Sequence, residues 1–320
     1  MDTGLLTPDF RALSVRLGQD PRQVQGAGGN TSIKAGGVMW IKASGTELAD
    51  AKRKDIFVAV DRNAAKAEIT GSGDGSCKDT VLDPASGLRP SIETTFHAAL
   101  EWAVVAHTHS VATLTHVISP QGRAAAMAKL ESLDPVLVPY AKPGLQLTRE
   151  ILARARSETR VILLENHGLI VAGEDVSTVS DHMADVERRL ALPARDTALP
   201  VFDTPPPSGF DWHASSWMAR APRIAGYVAA HSLYPDHVVF LGPGLNPDQA
   251  PDRPVRFAAG HGIALQSDAT PSQKAMLTCL GDIMARLPEG WEPAPIGPDA
   301  EAALLNWDAE KYRQALAARS

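Results

Sequence analysis

Val104-Val105-Ala106-His107-Thr108-His109 reads as a buried strand that ends in two histidines, and its counterpart is Val161-Ile162-Leu163-Leu164-Glu165-Asn166-His167-Gly168. Each is a short, β-branched apolar run closed by polar residues, the pattern of a strand covered on both faces. Alternate side chains of a strand share a face, so His107 and His109 point the same way. His167 follows the second strand at an Asn-His-Gly turn, which places it to converge with groups at the ends of neighbouring strands. Two neutral imidazoles side by side, joined by a third ligand, make most of a catalytic zinc-type site with one position open. The plainer reading, strand-end histidines bonded to their own loops, also accommodates each histidine taken alone.

The surrounding pattern interleaves strands and helices. A helix is expected over residues 8 to 20, and the glycine-rich stretch Gly26-Ala27-Gly28-Gly29-Asn30-Thr31-Ser32 follows it. Ile33-Lys34 and Val38–Lys42 flank a Gly36-Gly37 turn and predict a hairpin. Strands are expected at Asp55–Val60 and Lys66–Thr70, and a polar loop over 71 to 88. Pro90-Ser91-Ile92-Glu93 opens a helix with Ile92, Phe96, Ala99, Leu100 and Ala103 on one face. Helix is expected over 110 to 130, strand over Val136–Tyr140, helix over 147 to 157, and helix from Val176 to Leu190. His116 falls within the first of these helices, which carries it away from the histidine pair. The expected class is α/β: a mixed, mostly antiparallel sheet with helices on both faces, three layers in all, plus a smaller C-terminal α/β region.

Pro200 and Pro205-Pro206-Pro207, with Pro193 just ahead of them, make residues 196–210 a stiff linker, dividing a domain over 1–195 from an extension over 211–320. In the extension, Val238–Leu241 reads as a strand, Val255–Leu265 as a strand or hairpin, Ser272–Arg286 as a helix, and a last helix ends near Arg319. This extension carries no assignable motif. Its simplest roles are packing at the site entrance or an oligomer contact.

Composition narrows the function. With 320 residues, 44% of them hydrophobic, the chain can bury a substantial core. A formal net charge of -6 argues against nucleic acid or an anionic membrane surface as a partner. The N-terminus lacks the apolar run of a secretory signal, and no stretch of about twenty apolar residues predicts a transmembrane helix. Cys77 and Cys279 show no CxxC spacing. A cytoplasmic protein with two incidental thiols is expected.

Glu93, near the start of its helix, complements the helix dipole, with Ser91 as a natural cap. It is also placed to move a proton beside a cation. The 26–32 loop lacks the GxxxxGK[ST] and GxGxxG patterns, yet its backbone N–H groups can approach an anion, with Asn30 and Ser32 as added donors. Ser44-Gly45-Thr46 is a second such cluster. A turn-rich hairpin explains the same residues.

Taken together, these segments resemble the class II aldolase/adducin family over roughly residues 5 to 190. Gly28-Gly29-Asn30-Thr31-Ser32 and Ser44-Gly45 resemble its two substrate-phosphate loops, and Pro90-Ser91-Ile92-Glu93 with Phe96-His97 its catalytic-glutamate segment. His107-Thr108-His109 and Leu164–Ile170 resemble its metal-ligand segments. Pro139-Tyr140-Ala141 with Gly144 is similar to the stretch that lends a tyrosine to an adjacent subunit. Trp40–Leu48 resembles the aldolase halves of rhamnose-utilisation aldolase/dehydrogenases, although no dehydrogenase motif is present here.

The resemblance implies one divalent metal per subunit, Zn2+ before Mn2+, Co2+ or Fe2+, on His107, His109 and His167, with Glu93 as acid/base. It implies that Gly29, Asn30, Ser44, Gly45 and Ser91 hold a distal anion, that Tyr140 works across a subunit interface, and hence that the enzyme is a homo-oligomer, with tetramers the family's form. The implied activity is an aldolase acting on a ketose or ketose phosphate through a stabilised enediolate. A 4-epimerase or hydroxyketo-acid decarboxylase follows the same logic, and a non-catalytic adducin-like module would have lost the histidines. One departure stands out: Ile92 occupies the place of a second phosphate-binding serine.

Overall fold

The computed structural model describes residues 3–71, 73–197, 201–245 and 253–317. Helix α1 (Pro8–Gln19) starts at Thr7, whose hydroxyl accepts from the Phe10 N–H at 3.2 Å. The hairpin of β1 (Asn30–Ala35) and β2 (Val38–Lys42) follows, then β3 (Phe57–Asp61) and α2 (Arg62–Ala67). Next come α3 (Thr94–Ala99), β4 (Val104–Thr108), α4 (Val111–Val117), α5 (Pro120–Leu130), β5 (Val136–Val138) and α6 (Leu145–Leu152). A second hairpin, β6 (Val161–Leu164) and β7 (Gly168–Gly173), leads into α7 (Val176–Leu190).

These seven strands form one sheet in the order β3-β2-β1-β4-β7-β6-β5, with every pair antiparallel except β5 and β6. Strand alternation sorts the core onto two faces. Val104, Ala106, Leu163 and Val171 join a cluster with α1, α4, α5 and α7. Val105, Ile162, Leu164 and Ile170 pack against α3 and α6. Met39, Ile41 and Val58 face α2 on that same side. The sheet is therefore the middle of three layers. Each buried Leu or Ile contributes about 1.5–3 kcal/mol, and this doubly covered sheet holds the strand ends rigid.

The C-terminal region has a three-stranded antiparallel sheet of β8 (Phe210–Trp212), β9 (Val255–Ala258) and β10 (Gly262–Gln266), in the order β8-β10-β9. Around it lie α8 (Trp217–Arg220), α9 (Pro222–Ala230), α10 (Pro235–Leu241), α11 (Pro271–Arg286), α12 (Pro298–Leu305) and α13 (Asp308–Ala317). The apolar cluster of the first face continues into this region through Met218, Leu241, Leu280 and Leu304, and α11 packs on α4. Among the described residues no helix is long and apolar enough to cross a membrane.

Several elements differ from expectation. Lys66–Thr70 is not a strand: the Asp61 carboxylate accepts from the Ala64 N–H at 2.9 Å and starts α2 instead. The expected 110–130 helix breaks at Ser119, which caps α5 ahead of Pro120. Val238–Leu241, expected as a strand, is the last part of α10, a helix buried along its whole length. A helix covered all round shows no 3.6-residue period, so its Val-Val-Phe-Leu run imitates a strand. The expected last helix is two, α12 and α13, and Arg319 lies outside the described residues, as does part of the 196–210 linker.

Candidate metal centre

The site forms where β1, β4 and the β6–β7 turn meet. Asn30 opposes His107 and Leu169 opposes Thr108 across the sheet, which brings three chain segments to one end of its central strands. Gly29 lies at φ +56, and a Cβ there would stand 2.8 Å from the His107 carbonyl oxygen, so only glycine lets the loop approach β4 so closely. At the turn, Asn166 adopts φ +54, and its amide donates to the carbonyls of Leu233 (2.9 Å) and Ala294 (2.7 Å). The turn that carries His167 is thereby tied to the C-terminal region.

His107, His109 and His167 are all buried, and one ring nitrogen of each lies within 4.8 Å of the others. His107 Nδ1 donates to the Leu169 carbonyl at 3.0 Å, which leaves Nε2 bare and facing His109 Nε2 at 3.2 Å. Glu93 reaches into the cluster from the other side. Its Oε2 is 3.5 Å from His107 Nε2 and its Oε1 3.5 Å from His167 Nε2. Glu93 occupies the N-cap position of α3, with φ −106 and ψ 9, rather than the first helical turn. Pro90 bridges Ala43, and a turn closed by the Thr94 N–H donating to the Ser91 carbonyl at 3.1 Å then delivers the carboxylate to the histidines.

A second layer holds Glu93. Asn30 Nδ2 donates to Glu93 Oε2 at 2.8 Å and to Ser91 Oγ at 3.2 Å. The other end of the Asn30 amide, Oδ1, accepts from His97 Nε2, while His97 Nδ1 accepts from the Ser32 hydroxyl at 2.7 Å.

The electrostatics suit a cation. Burial pushes the His107 ring below its ordinary value and takes His167 down to about 3, so both stay neutral. Burial alone would raise the Glu93 carboxyl, but in the acid range where it titrates His107 and His167 are protonated, and their charge with the Asn30 amide brings it down to about 2. Glu93 Oε1 and His167 Nδ1 are buried without a hydrogen-bond partner. The 3.2 Å between the two imidazole nitrogens is close to the edge, about 3.3 Å, of a tetrahedron of nitrogens about 2.0–2.1 Å from zinc. Neutral imidazoles, an ionised carboxylate and unpartnered lone pairs fit a divalent metal.

Beside the cluster is a cavity of about 30 Å³, walled by Gly28, Gly29, Asn30, Ser44, Gly45 and Ser91 among others. Residues of both expected anion loops thus line one wall, and the Ser44 N–H donates to the Arg89 carbonyl at 2.8 Å, which ties its loop to the segment that carries Ser91. A larger cavity of about 400 Å³ shares Ser44 and Ile92 with it and carries Lys78 and Arg89. Tyr140 does not join them: its hydroxyl is buried in its own chain without a partner, and burial together with Glu301 and Glu310 pushes it well up. His116 stays on α4 with its ring against Trp291.

Four charged cavity residues escape the sequence reading. Lys42, fully buried, donates to the carbonyls of Ala27 (2.8 Å) and Thr46 (2.6 Å). The other three, Asp236, Glu310 and Arg313, come from the C-terminal region. Asp236 Oδ2 lies 3.0 Å from His109 Nδ1, and its other oxygen accepts from Arg313 at 3.0 Å. Burial works against the Asp236 charge, but Arg313 and His109 hold its carboxyl far below the usual carboxylate range. Only Lys42 had a nearby signal, a lysine on the inward face of an apolar strand.

The sequence profile of the class II aldolase and adducin N-terminal domain matches residues 12–192. A protein named "uncharacterized oxidoreductase YuxG" from Bacillus subtilis is 30% identical over 181 residues, covering 51% of this chain but only 26% of that protein. A 3-oxo-tetronate 4-phosphate decarboxylase from Haemophilus influenzae is 26% identical over 168 residues, 43% of this chain and 75% of the enzyme. Among solved structures, the N-terminal class II aldolase domain of a conserved Thermoplasma acidophilum protein superposes with a TM-score of 0.52 at 25% identity, covering 59% of this chain and 93% of that domain. With its profile match spanning more than half of its length, the chain belongs to the class II aldolase and adducin family.

Proposed function

We propose that this chain is a divalent-metal-dependent carbon–carbon lyase acting on a ketose or ketose phosphate. The observation that carries the reading is the convergence of three buried imidazoles with Glu93 3.5 Å from two of them. A metal held by His107, His109 and His167, Zn2+ in the first instance, would supply Lewis-acid stabilisation of the negative charge that develops on a substrate oxygen. Glu93 then moves a proton at the reacting carbon or its hydroxyl, held in place by Asn30. The reacting end of the substrate would occupy the small cavity, with its distal end beyond Ser44 and Ile92 in the larger one, where Lys78 and Arg89 offer cations to a phosphate.

Relatives named 3-oxo-tetronate 4-phosphate decarboxylase favour a second reading, in which the same site releases carbon dioxide from a 3-oxo acid. Both readings break a carbon–carbon bond and leave the same kind of oxyanion, and both suit a cytoplasmic oligomer. The test begins with metal content, which is one equivalent per chain in the parent and lost in His107→Ala and His167→Ala. Metal-loaded enzyme is then offered dihydroxyacetone phosphate, or dihydroxyacetone, with short aldehydes, and separately 3-oxo acid phosphates. Aldol products support the first reading and carbon dioxide release the second. A parent chain that binds no metal sinks both.

A further inference from the structure

His109 Nδ1 faces away from the imidazole cluster and toward a carboxylate from outside the family-matched segment. Asp236, on α10, brings Oδ2 to 3.0 Å from that nitrogen, and its side chain is 2% exposed. Its Oδ1 accepts from Arg313 Nη2 at 3.0 Å, and Arg313 Nη1 donates to both carboxylate oxygens of Glu310, each at 3.0 Å. Arg313 and Glu310 both lie on α13, with side chains 9% and 2% exposed. The glycine loop is shaped around this contact. A Cβ on Gly28 would stand 3.1 Å from His109 Nδ1 and 3.2 Å from Asp236 Oδ2, so the loop backbone seals the pair without pressing on it.

We infer that Asp236 is the positioning carboxylate for His109 as a metal ligand, and that Arg313 and Glu310 fix its orientation. The inference rests on the proposed reading of the three histidines as ligands. A carboxylate on the far nitrogen of a ligating imidazole fixes the tautomer, aims the ring and raises the basicity of the ligating nitrogen. His107 obtains the first two effects from the Leu169 carbonyl. For His109 the Asp236 carboxylate stands at 3.0 Å, with neither Asp236 Oδ2 nor His109 Nδ1 bonded to any other group, so a small turn of either side chain supplies both effects together with a full negative charge. The buried chain Glu310–Arg313–Asp236–His109 makes the C-terminal region a structural part of the metal centre. It also accounts for an arginine buried beside a would-be cation: its charge is taken up by two carboxylates.

The experiment is Zn2+ affinity of the full-length chain, measured by competition with a chromophoric chelator, together with the visible spectrum of the Co2+-loaded protein. Asp236→Asn and Asp236→Ala are compared with the parent, and the double variant Asp236→Ala/Arg313→Met removes the unpaired guanidinium should the single alanine variant fold poorly. Leu304→Ala serves as a control, since it weakens the same region through the core without touching the histidines. The expected result is a 10- to 100-fold loss of affinity in the Asp236 variants with stoichiometry retained, a shifted Co2+ spectrum, and parent-like affinity and spectrum in Leu304→Ala. Parent-like affinity in folded Asp236 variants overturns the inference, as does an equal loss in Leu304→Ala. Absence of metal binding in the parent instead removes the reading of the histidines on which it stands.

Discussion

Asn30 Nδ2 donates to Glu93 Oε2 at 2.8 Å, so the first residue of β1 holds the carboxylate that enters the histidine cluster. Both groups are buried, and the same amide also engages Ser91 and His97. Asn30→Ala leaves several polar groups unpaired, and stability measured by urea unfolding should fall by about 1–3 kcal/mol. Asn30→Asp is the sharper variant. It sets a second carboxylate against Glu93, raising the Glu93 carboxyl from its position near 2. The carboxyl resonance of Glu93, followed by NMR in the metal-free protein, should then titrate at higher pH. An unmoved titration would show that Asn30 does not govern the charge of Glu93.

Metal should stabilise the fold through the same cluster. A cation that binds only the folded chain, at a hundred times its dissociation constant, adds about 2.7 kcal/mol, which for a chain of 320 residues raises Tm by roughly 4 °C. The increment should vanish in His107→Ala and persist in His116→Ala, because His116 bonds to the Ala112 carbonyl on α4 and lies outside the cluster. Scanning calorimetry with and without Zn2+ measures both. An equal increment in the two variants would place the stabilising metal elsewhere.

The loop at Gly45 tests how α13 is seated. Gly45 has φ +77, and a Cβ there would lie 2.2 Å from Leu316 Cδ1. Gly45→Ala therefore carries two costs, left-handed backbone strain of about 1 kcal/mol or more and a steric clash with α13. Leu316→Ala in the same chain should relieve the clash but not the backbone strain. A double-mutant cycle should read a coupling of about 0.5–3 kcal/mol. Additive effects would mean that α13 does not rest on this loop in solution.

The central part of the site was legible because its signals are local. The alternation that puts His107 and His109 on one face is a property of any strand, and the Asn166-His167-Gly168 turn announces itself by composition. Asp236 was not legible, for a definite reason. It sits at the start of α10, whose Val238–Leu241 run reads as a strand because a helix buried all round loses its periodicity. Its pairing with His109 spans 127 residues and depends on how the C-terminal region docks, which no local pattern encodes. The break at Ser119-Pro120 is different in kind: a capping serine followed by proline was there to be read. Tyr140 shows the reverse case, a residue recognised by resemblance whose hydroxyl is buried in its own chain, outside both cavities.

Two lysines tie stability to alkaline pH. Lys34 and Lys42 lie on adjacent strands, are 4% and 2% exposed, and are pushed by burial from 10.5 down to about 7. Lys34 donates to the His97 carbonyl at 2.6 Å, and Lys42 to the two loop carbonyls beside the cavity. For an amine the charged form is the one that burial penalises. Between about pH 7 and 10.5 the unfolded chain therefore binds more protons than the folded one, and stability rises with pH across that window. Below about pH 7 both states are protonated and the penalty is complete. Metal-free protein should accordingly unfold at higher urea at pH 9 than at pH 7, whereas Lys34→Met/Lys42→Met should lose most of that gain. Other groups titrate in the same range, so the quantity to compare is the parent-minus-variant difference at each pH. A difference that stays flat from pH 7 to 9.5 would mean that these amines remain charged in the fold and that their carbonyl partners offset the full cost of burying them.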